Sequence, residues 1–449
     1  MKQDPEALAP VPSQGAEVTT STHDAVFGVI TEDGPNYRNV GWVGTSIIMM
    51  KTQIGLGVLS IPAAFDILGM IPGVICMMII AALTTWGAYV IGPFKLKHPE
   101  IYGIDDATGL VYGPVGRELL SIGFSLFLIF CAGSGILGIS IGLNAVSTHG
   151  ACTAVCTAVA TIIVILLASI RTLSRISFLA WVGLVAILAA NRPHDAPAGP
   201  WASDYKLVNN PSFTDAISAI ATFVFAYAGT PFYFPIIAEM RDHRDYSKSM
   251  LLCQGVVTLT YLVIGIIVYY YCGSYVASSA LGSAGPLLKK IGYGIALPGL
   301  IVSSTLSTHL VSKHFFVRIL RGSKHLAANT FIHWATWLGC VCSVATTAYC
   351  IASGIPVFGG LVSLIGALLG TLMCFQPLGC MWLFDNWSDG RQGHSAKWIL
   401  QVVVSIIMVV GGSFLMVGGT YGSVVGIIYS YRVDGGSKAW TCADNSNSV

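Results

Sequence analysis

The chain has 449 residues, 54% of them apolar and only 10% charged, with a mean hydropathy of +0.72. That composition excludes a soluble globular domain and indicates an integral membrane protein. Twenty-three Lys and Arg against 21 Asp and Glu leave a net charge of +2, which argues against both a basic field for nucleic acid and an acidic tail for a cationic partner.

Residues 1–40 include QDPEALAPVPSQGAEVTTST, rich in Pro, Ser, Thr, Ala and acids. With no apolar run long enough for a secretory signal, they read as a disordered cytosolic arm. A hydrocarbon core of about 30 Å takes roughly 20 apolar residues per helix. Eleven stretches qualify: 41–68, 71–94, 119–146, 151–170, 176–190, 213–238, 250–276, 291–311, 331–353, 357–384 and 398–428. The fifth is short, since its length corresponds to only about 22 Å of helix. Either interfacial residues extend it, the bilayer thins around it, or part of the helix is missing.

An amino terminus in the cytosol puts sixteen Lys and Arg inside, among them Lys95, Lys97, Arg117, Arg241, Arg244 and Arg318. Six remain outside: Arg192, Lys206, Lys289, Lys290, Arg432 and Lys438. The positive-inside bias therefore predicts a cytosolic amino terminus and, after an odd number of spans, a short extracellular tail over 431–449. Trp42, Trp201, Trp387, Trp398 and Trp440 fall at or just beyond span ends, as an interfacial belt requires. Most of the twelve cysteines lie in apolar runs and read as small hydrophobes. Cys152, Cys156 and Cys442 are placed where oxidation is possible, but sequence cannot pair them.

The first span contains MMKTQIGLGVLSIP, with a lysine, two glycines and a proline within about three helical turns. Gly55, Gly57 and Pro62 weaken the helix there. A lone glycine pair is equally compatible with a kinked packing helix. The sixth span reads FVFAYAGTPFYFPIIAEM, where Gly229, Pro231 and Pro235 interrupt an aromatic run and Pro231 is expected to push Thr230 out of the helix. Breaks at matching positions of two five-span halves point to an inverted-repeat transporter with its site near the bilayer midplane. The expected units are a first repeat over about 41–190, a second over about 213–384 and an extra helix over about 398–428. Half-helix ends present unpaired N–H and C=O groups. A zwitterion fits between them, its carboxylate against Gly55, Leu56, Gly57 and Val58 and its ammonium facing carbonyls near Phe225, Ala226 and Tyr227. Phe223, Tyr227, Phe232 and Tyr233 are candidate aromatic walls, or ordinary packing residues.

GLGVLSIPAAFDILG (residues 55–69) and FAYAGTPFYFPIIAEMRD (residues 225–242) resemble the first-span and sixth-span signatures of the amino acid/auxin permease family. The likeness is greatest to its fungal neutral amino acid branch, of the methyltryptophan-resistance type, and covers most of residues 40–430. It implies an all-α five-plus-five fold with spans 1 and 6 discontinuous and an eleventh helix. It also implies secondary uptake of neutral aliphatic and aromatic L-amino acids driven by protons, with Gly229 and Thr230 in the sixth-span part of the site.

Lysine at mid-span costs about 2.5–3.5 kcal/mol on insertion scales. Lys51 either snorkels to the cytosolic face or serves as a cation inside the protein. By the resemblance it stands where sodium-coupled relatives carry an ion-holding asparagine, which predicts sodium-independent transport. Ser303, Ser304 and Ser307 of span 8 are its candidate oxygen partners, unless they bond back to their own helix. Glu239, Arg241 and Asp242 end span 6 as candidate inner-gate ion pairs, or as a solvated helix end.

The absence of a GxxxxGK[ST] pattern argues against a nucleotide-driven pump, so an ion gradient is the expected energy source. No metal, cofactor or enzymatic activity is expected. The alternatives are an amino acid sensor on the same scaffold, or a permease for another small organic solute. The plasma membrane is the expected location, with the vacuolar membrane as the other possibility.

Overall fold

The computed structural model describes residues 22–24, 28–30, 40–169, 202–320, 323, 325, 330–388, 395–433, 439–440 and 442–446. The predicted fifth span, 176–190, lies outside them. Within the amino-terminal arm, Thr22–Asp24 and Gly28–Ile30 pair as two short antiparallel strands. Alternation of apolar and polar residues is too brief over three positions to signal such pairing in advance.

Everything else of size among the described residues is helical. Among the described residues eight helices are long and apolar enough to cross a membrane, and Trp42–Gln53 with Gly57–Leu68, bent by 49° at their break, make a ninth if the pair counts as one span. Thr153–Ala168, the fourth span, is a shorter apolar helix. The third span belongs to a longer helix than sequence implies, Ile104–Ser147, which kinks at Gly113. Glycine suits that point because its φ is +74°, in the region side chains avoid. Across the kink, Asp106 pairs with Arg117 at 2.6 Å.

Contacts between helix ends sort the chain into two faces. On one, Val40 meets Met240, Glu118 pairs with Arg318, and His98 lies 2.9 Å from Asp385. On the other, the 204–210 segment closes over the top of span 1. Asn209 Nδ2 donates to the Asp66 carbonyl at 3.1 Å, and Asp204 accepts from Ser274, an interaction that holds its carboxyl below the usual carboxylate range. The tail reaches this same side. Cys152 and Cys442 form a disulfide across 290 residues of sequence, Trp440 N–H donates to the Ser353 carbonyl at 3.0 Å, and Asn144 donates to Asn445. Cys156 instead donates to Asn144 Oδ1 at 3.2 Å.

Spans 3 and 8 pack along most of their lengths, with Gly135 pressed against Ser304. A Cβ on Gly135 would sit 2.8 Å from the serine side chain, so the missing side chain sets the approach. The core buries tyrosines whose hydroxyls are engaged: Tyr246 of span 7 donates to the Ala88 carbonyl at 2.7 Å, and Tyr293 of span 8 to Ser279 at 3.0 Å. Satisfying each phenol internally is what makes such burial affordable in a medium without water.

Candidate functional site

Span 1 loses its helix at a sharp point. Ile54 N–H makes the last regular bond, to Met50, and Ile54 then turns to ψ +94°. Gly55 follows at φ −156° and ψ −134°, extended rather than helical, and a tight 3-10 turn over Leu56–Ser60 restarts the chain. The restarted half-helix aims the first N–H groups of this turn at the gap, without partners in their own helix.

The sixth span breaks differently. Its first half ends at Ala226, and Tyr227, Gly229 and Phe232 keep φ between −93° and −77° with ψ between −10° and +5°. Ala228 bonds to Phe225 and Phe232 to Gly229, three residues back, so the chain tightens its pitch without leaving right-handed helical space. Pro231 does not expel Thr230, contrary to the sequence expectation. It falls in the first positions of the 3-10 turn Thr230–Phe232, where a missing N–H is not needed. The span from Phe213 to Ala238 therefore runs on as one unit, interrupted in bonding rather than bent.

The two interruptions touch. A Cβ on Gly57 would lie 2.7 Å from the Ala226 Cα, and one on Gly229 would lie 2.6 Å from the Gln53 Cγ and 2.7 Å from the Thr52 hydroxyl. Each break thus offers a glycine to the other. Gln53 and Ala226 are the last helical residues before their respective breaks, and their carbonyl oxygens converge on the Tyr261 hydroxyl of span 7, at 2.7 and 2.9 Å. A phenol has one proton to donate and here meets two acceptors, both at the negative ends of helices. Below, Gln53 Nε2 donates to Tyr233 Oη at 2.8 Å, and that hydroxyl faces Cys253 at 3.6 Å.

Beside the crossing lies a cavity of about 250 Å³. Gly55, Gly57 and Phe225 line it, together with Ala228 and Phe232 from span 6 and Phe127, Leu128 and Cys131 from span 3. Lys51, Ser303 and Ser307 line it as well, across from the break. Ser307 bonds back to the Ser303 carbonyl at 3.2 Å but still faces the cavity. Ser304 is turned elsewhere, donating to the Ala132 carbonyl of span 3 at 3.0 Å.

Several sequence candidates are not among the residues that line the cavity. Val58, Ala226, Tyr227, Gly229 and Thr230 are buried, and Tyr227 donates to Thr258 at 3.0 Å. Leu56 sits at the start of the 3-10 turn. Tyr233 and Phe223 are fully buried, Phe223 edge-on to Phe65. Glu239, Arg241 and Asp242 stand at the opposite end of the span. Here the Glu239 carbonyl accepts from Val40, the Arg241 N–H donates to Val40, and Asp242 caps the N–H of Arg244 at 2.9 Å. Gln53, Tyr261 and Cys253 escaped sequence reasoning. A glutamine two residues before a glycine break was the one available signal.

A family model described as "Transmembrane amino acid transporter protein" matches residues 38–425. A transmembrane transporter of Gibberella moniliformis is 34% identical over 436 residues, covering 93% of this chain and 90% of its own. The N amino acid transport system protein of Neurospora crassa is 31% identical over 463 residues, 98% of each chain. In fold, the crystal structure of MhsT in complex with L-phenylalanine matches with a TM-score of 0.52 at 11% identity, over 89% of this chain and 99% of that one. That likeness bears on architecture alone, an inverted-repeat transporter fold. By sequence, the chain belongs to the family of transmembrane amino acid transporter proteins.

Proposed function

We propose that this chain imports neutral aliphatic and aromatic L-amino acids by alternating access, driven by protons and independent of sodium. The observation that carries the reading is the cavity beside two touching helix breaks. Its volume lies just under the roughly 300–1,000 Å³ of drug-sized pockets, which suits one free amino acid. Backbone N–H groups near Gly55 and Gly57 would receive the carboxylate, and Phe127, Phe225 and Phe232 would wall the side chain. The Neurospora crassa relative's name supports amino acids as the substrate class.

Lys51 supplies a positive charge where a coupling metal ion would otherwise be needed, and Ser303 and Ser307 offer it oxygens. Alternating access of Lys51 to the two sides is the proposed route of proton coupling. Glu239, Arg241 and Asp242 would form the inner gate. The proposed orientation has the Lys97 and Arg318 face in the cytosol. The Cys152–Cys442 disulfide on the other face supports this, since such bonds persist in oxidising compartments. That arrangement suits the plasma membrane.

Uptake of labelled leucine and phenylalanine into proteoliposomes tests the proposal. An imposed inward proton gradient should drive accumulation, and Lys51→Gln should flatten its pH dependence. Accumulation driven by sodium instead would overturn the coupling, and binding without accumulation would favour a sensor.

A further inference from the structure

Span 10 does not run as a regular helix. It is α-helical over Phe358–Ile365, widens into a π-helical turn over Gly366–Gly370, and resumes as an α-helix at Thr371–Cys374. Ile365, Gly366, Gly370 and Thr371 all keep helical φ and ψ, so the turn differs in which groups bond. The Thr371 N–H reaches back five residues to the Gly366 carbonyl. In a regular helix it would take the Ala367 carbonyl, and the Thr371 hydroxyl bonds there instead. The side chain stands in for its own amide, keeping that carbonyl paired where no water reaches it.

The widened turn is pressed against the part of span 6 that walls the transport cavity. A Cβ on Gly366 would sit 2.0 Å from the Ala221 carbonyl oxygen and 2.9 Å from both the amide nitrogen and the Cβ of Phe225. One on Gly370 would meet Val224 at 3.4 Å and Ala228 at 3.6 Å. Phe225 and Ala228 both line the cavity, so span 6 lies with one surface on this turn and another on the transport site. Span 11 closes in as well: a Cβ on Gly419 would meet the Ala367 Cβ at 2.9 Å and the Ala221 Cβ at 3.5 Å. Spans 6, 10 and 11 thus meet with no room for an added methyl, and packing this close passes a displacement on to its neighbours.

We propose that the wide turn of span 10 sets the width of the transport cavity at Phe225 and Ala228, and with it the largest amino acid side chain the protein carries. Gly366 and Thr371 are positioning residues, Gly366 through its missing side chain and Thr371 by holding the turn open. The inference rests on the import of neutral amino acids proposed above. Reversion of the turn to an α-helix would return the Thr371 N–H to Ala367 and rotate the residues before it by about 100° relative to those after it. A side chain would then stand where Gly366 meets Phe225, driving span 6 toward the cavity, and bulky substrates would be lost first.

Uptake of labelled alanine and phenylalanine into proteoliposomes tests this, with KM and maximal rate measured for each and folding followed by the thermal midpoint. Thr371→Val keeps the shape of the side chain and deletes the hydroxyl. It should raise the ratio of the phenylalanine KM to the alanine KM about tenfold, the low end of what a methylene-sized change of fit gives in an apolar pocket. Thr371→Ser restores the hydroxyl and should return the ratio to the parent value. Gly366→Ala should raise the ratio at least as far; should it fail to fold, the two Thr371 variants decide alone. A turn with a merely structural role would lower the thermal midpoint and the rates of both substrates together. That result, or a Thr371→Ser variant that behaves like Thr371→Val, would overturn this inference alone, whereas a parent protein that imports neither amino acid would overturn the transport reading and this inference with it.

Discussion

The breaks in spans 1 and 6 are made from the same residue types and do not behave alike. Span 1 passes through two successive non-helical residues and turns by 49°, whereas span 6 only tightens into a 3-10 turn and continues. The difference follows from where the special residues fall. Ile54 and Gly55 leave helical space one after the other, while Pro231 lands in the opening turn of a helix that already bears its fixed φ. Span 1 therefore supplies the change of direction at the site, and span 6 supplies the surface it turns against.

Gly57→Ala is the harshest test of that contact, because the added methyl meets the main chain of Ala226 rather than a movable side chain. Over-packing of this kind costs about 1–3 kcal/mol, and uptake should fall by tenfold or more with a lowered thermal midpoint. Tyr261→Phe comes next. It removes the single donor shared by the Gln53 and Ala226 carbonyls, and a buried acceptor left unpaired costs about 1–3 kcal/mol. The maximal uptake rate should drop several-fold while expression persists; normal transport would mean that the convergence of helix ends has no functional weight.

The glycines sharpen the contrast further. Gly229→Ala presses on Gln53 and Thr52 side-chain atoms that can shift, so its loss should be intermediate. Gly55→Ala has nothing within 4 Å and an extended φ open to any residue, so uptake should stay within about twofold of the parent. Reversal of the Gly55 and Gly57 effects would show that conformational freedom, rather than close approach, makes the glycine pair necessary.

The smallest effect concerns pH. Crowding at the end of span 6 takes solvent from Glu239 and raises its carboxyl above the ordinary 4.5. A raised acid is favoured in its protonated form in the folded protein, so the stabilisation it brings is complete below 4.5 and fades as pH climbs through the raised value. Glu239→Gln should remove that slope from a plot of thermal midpoint against pH, by a degree or so given the group's exposure.

Part of this architecture is legible in the sequence because glycine acts locally: Gly55, Gly57 and Gly229 mark the crossing. The unread features depend on partners far away in the chain. Tyr261 resembles any other tyrosine in an apolar helix until Gln53 and Ala226 are brought to it, and the Cys152–Cys442 bond joins residues 290 apart. Proline was misread for another reason: its effect depends on its position within a turn, and Thr230–Phe232 starts one at that spot. The π-helical stretch Gly366–Gly370 in span 10 fits tightly against Ala221 and Phe225 of span 6, a fit that no periodicity reports.

The parallel bridge between Val40 and Met240 has a consequence for how the lysine-bearing mouth of the molecule can vary. Its two bonds run between amides and carbonyls, Val40 to Glu239 at 3.3 Å and Arg241 to Val40 at 3.0 Å, so the seam is sewn in main chain. Each stitch is worth about 0.5–1.5 kcal/mol net, little enough to be undone whenever that mouth opens. Because the seam rests on main chain, a proline at Val40 or Arg241, lacking the N–H, would leave it unfastened.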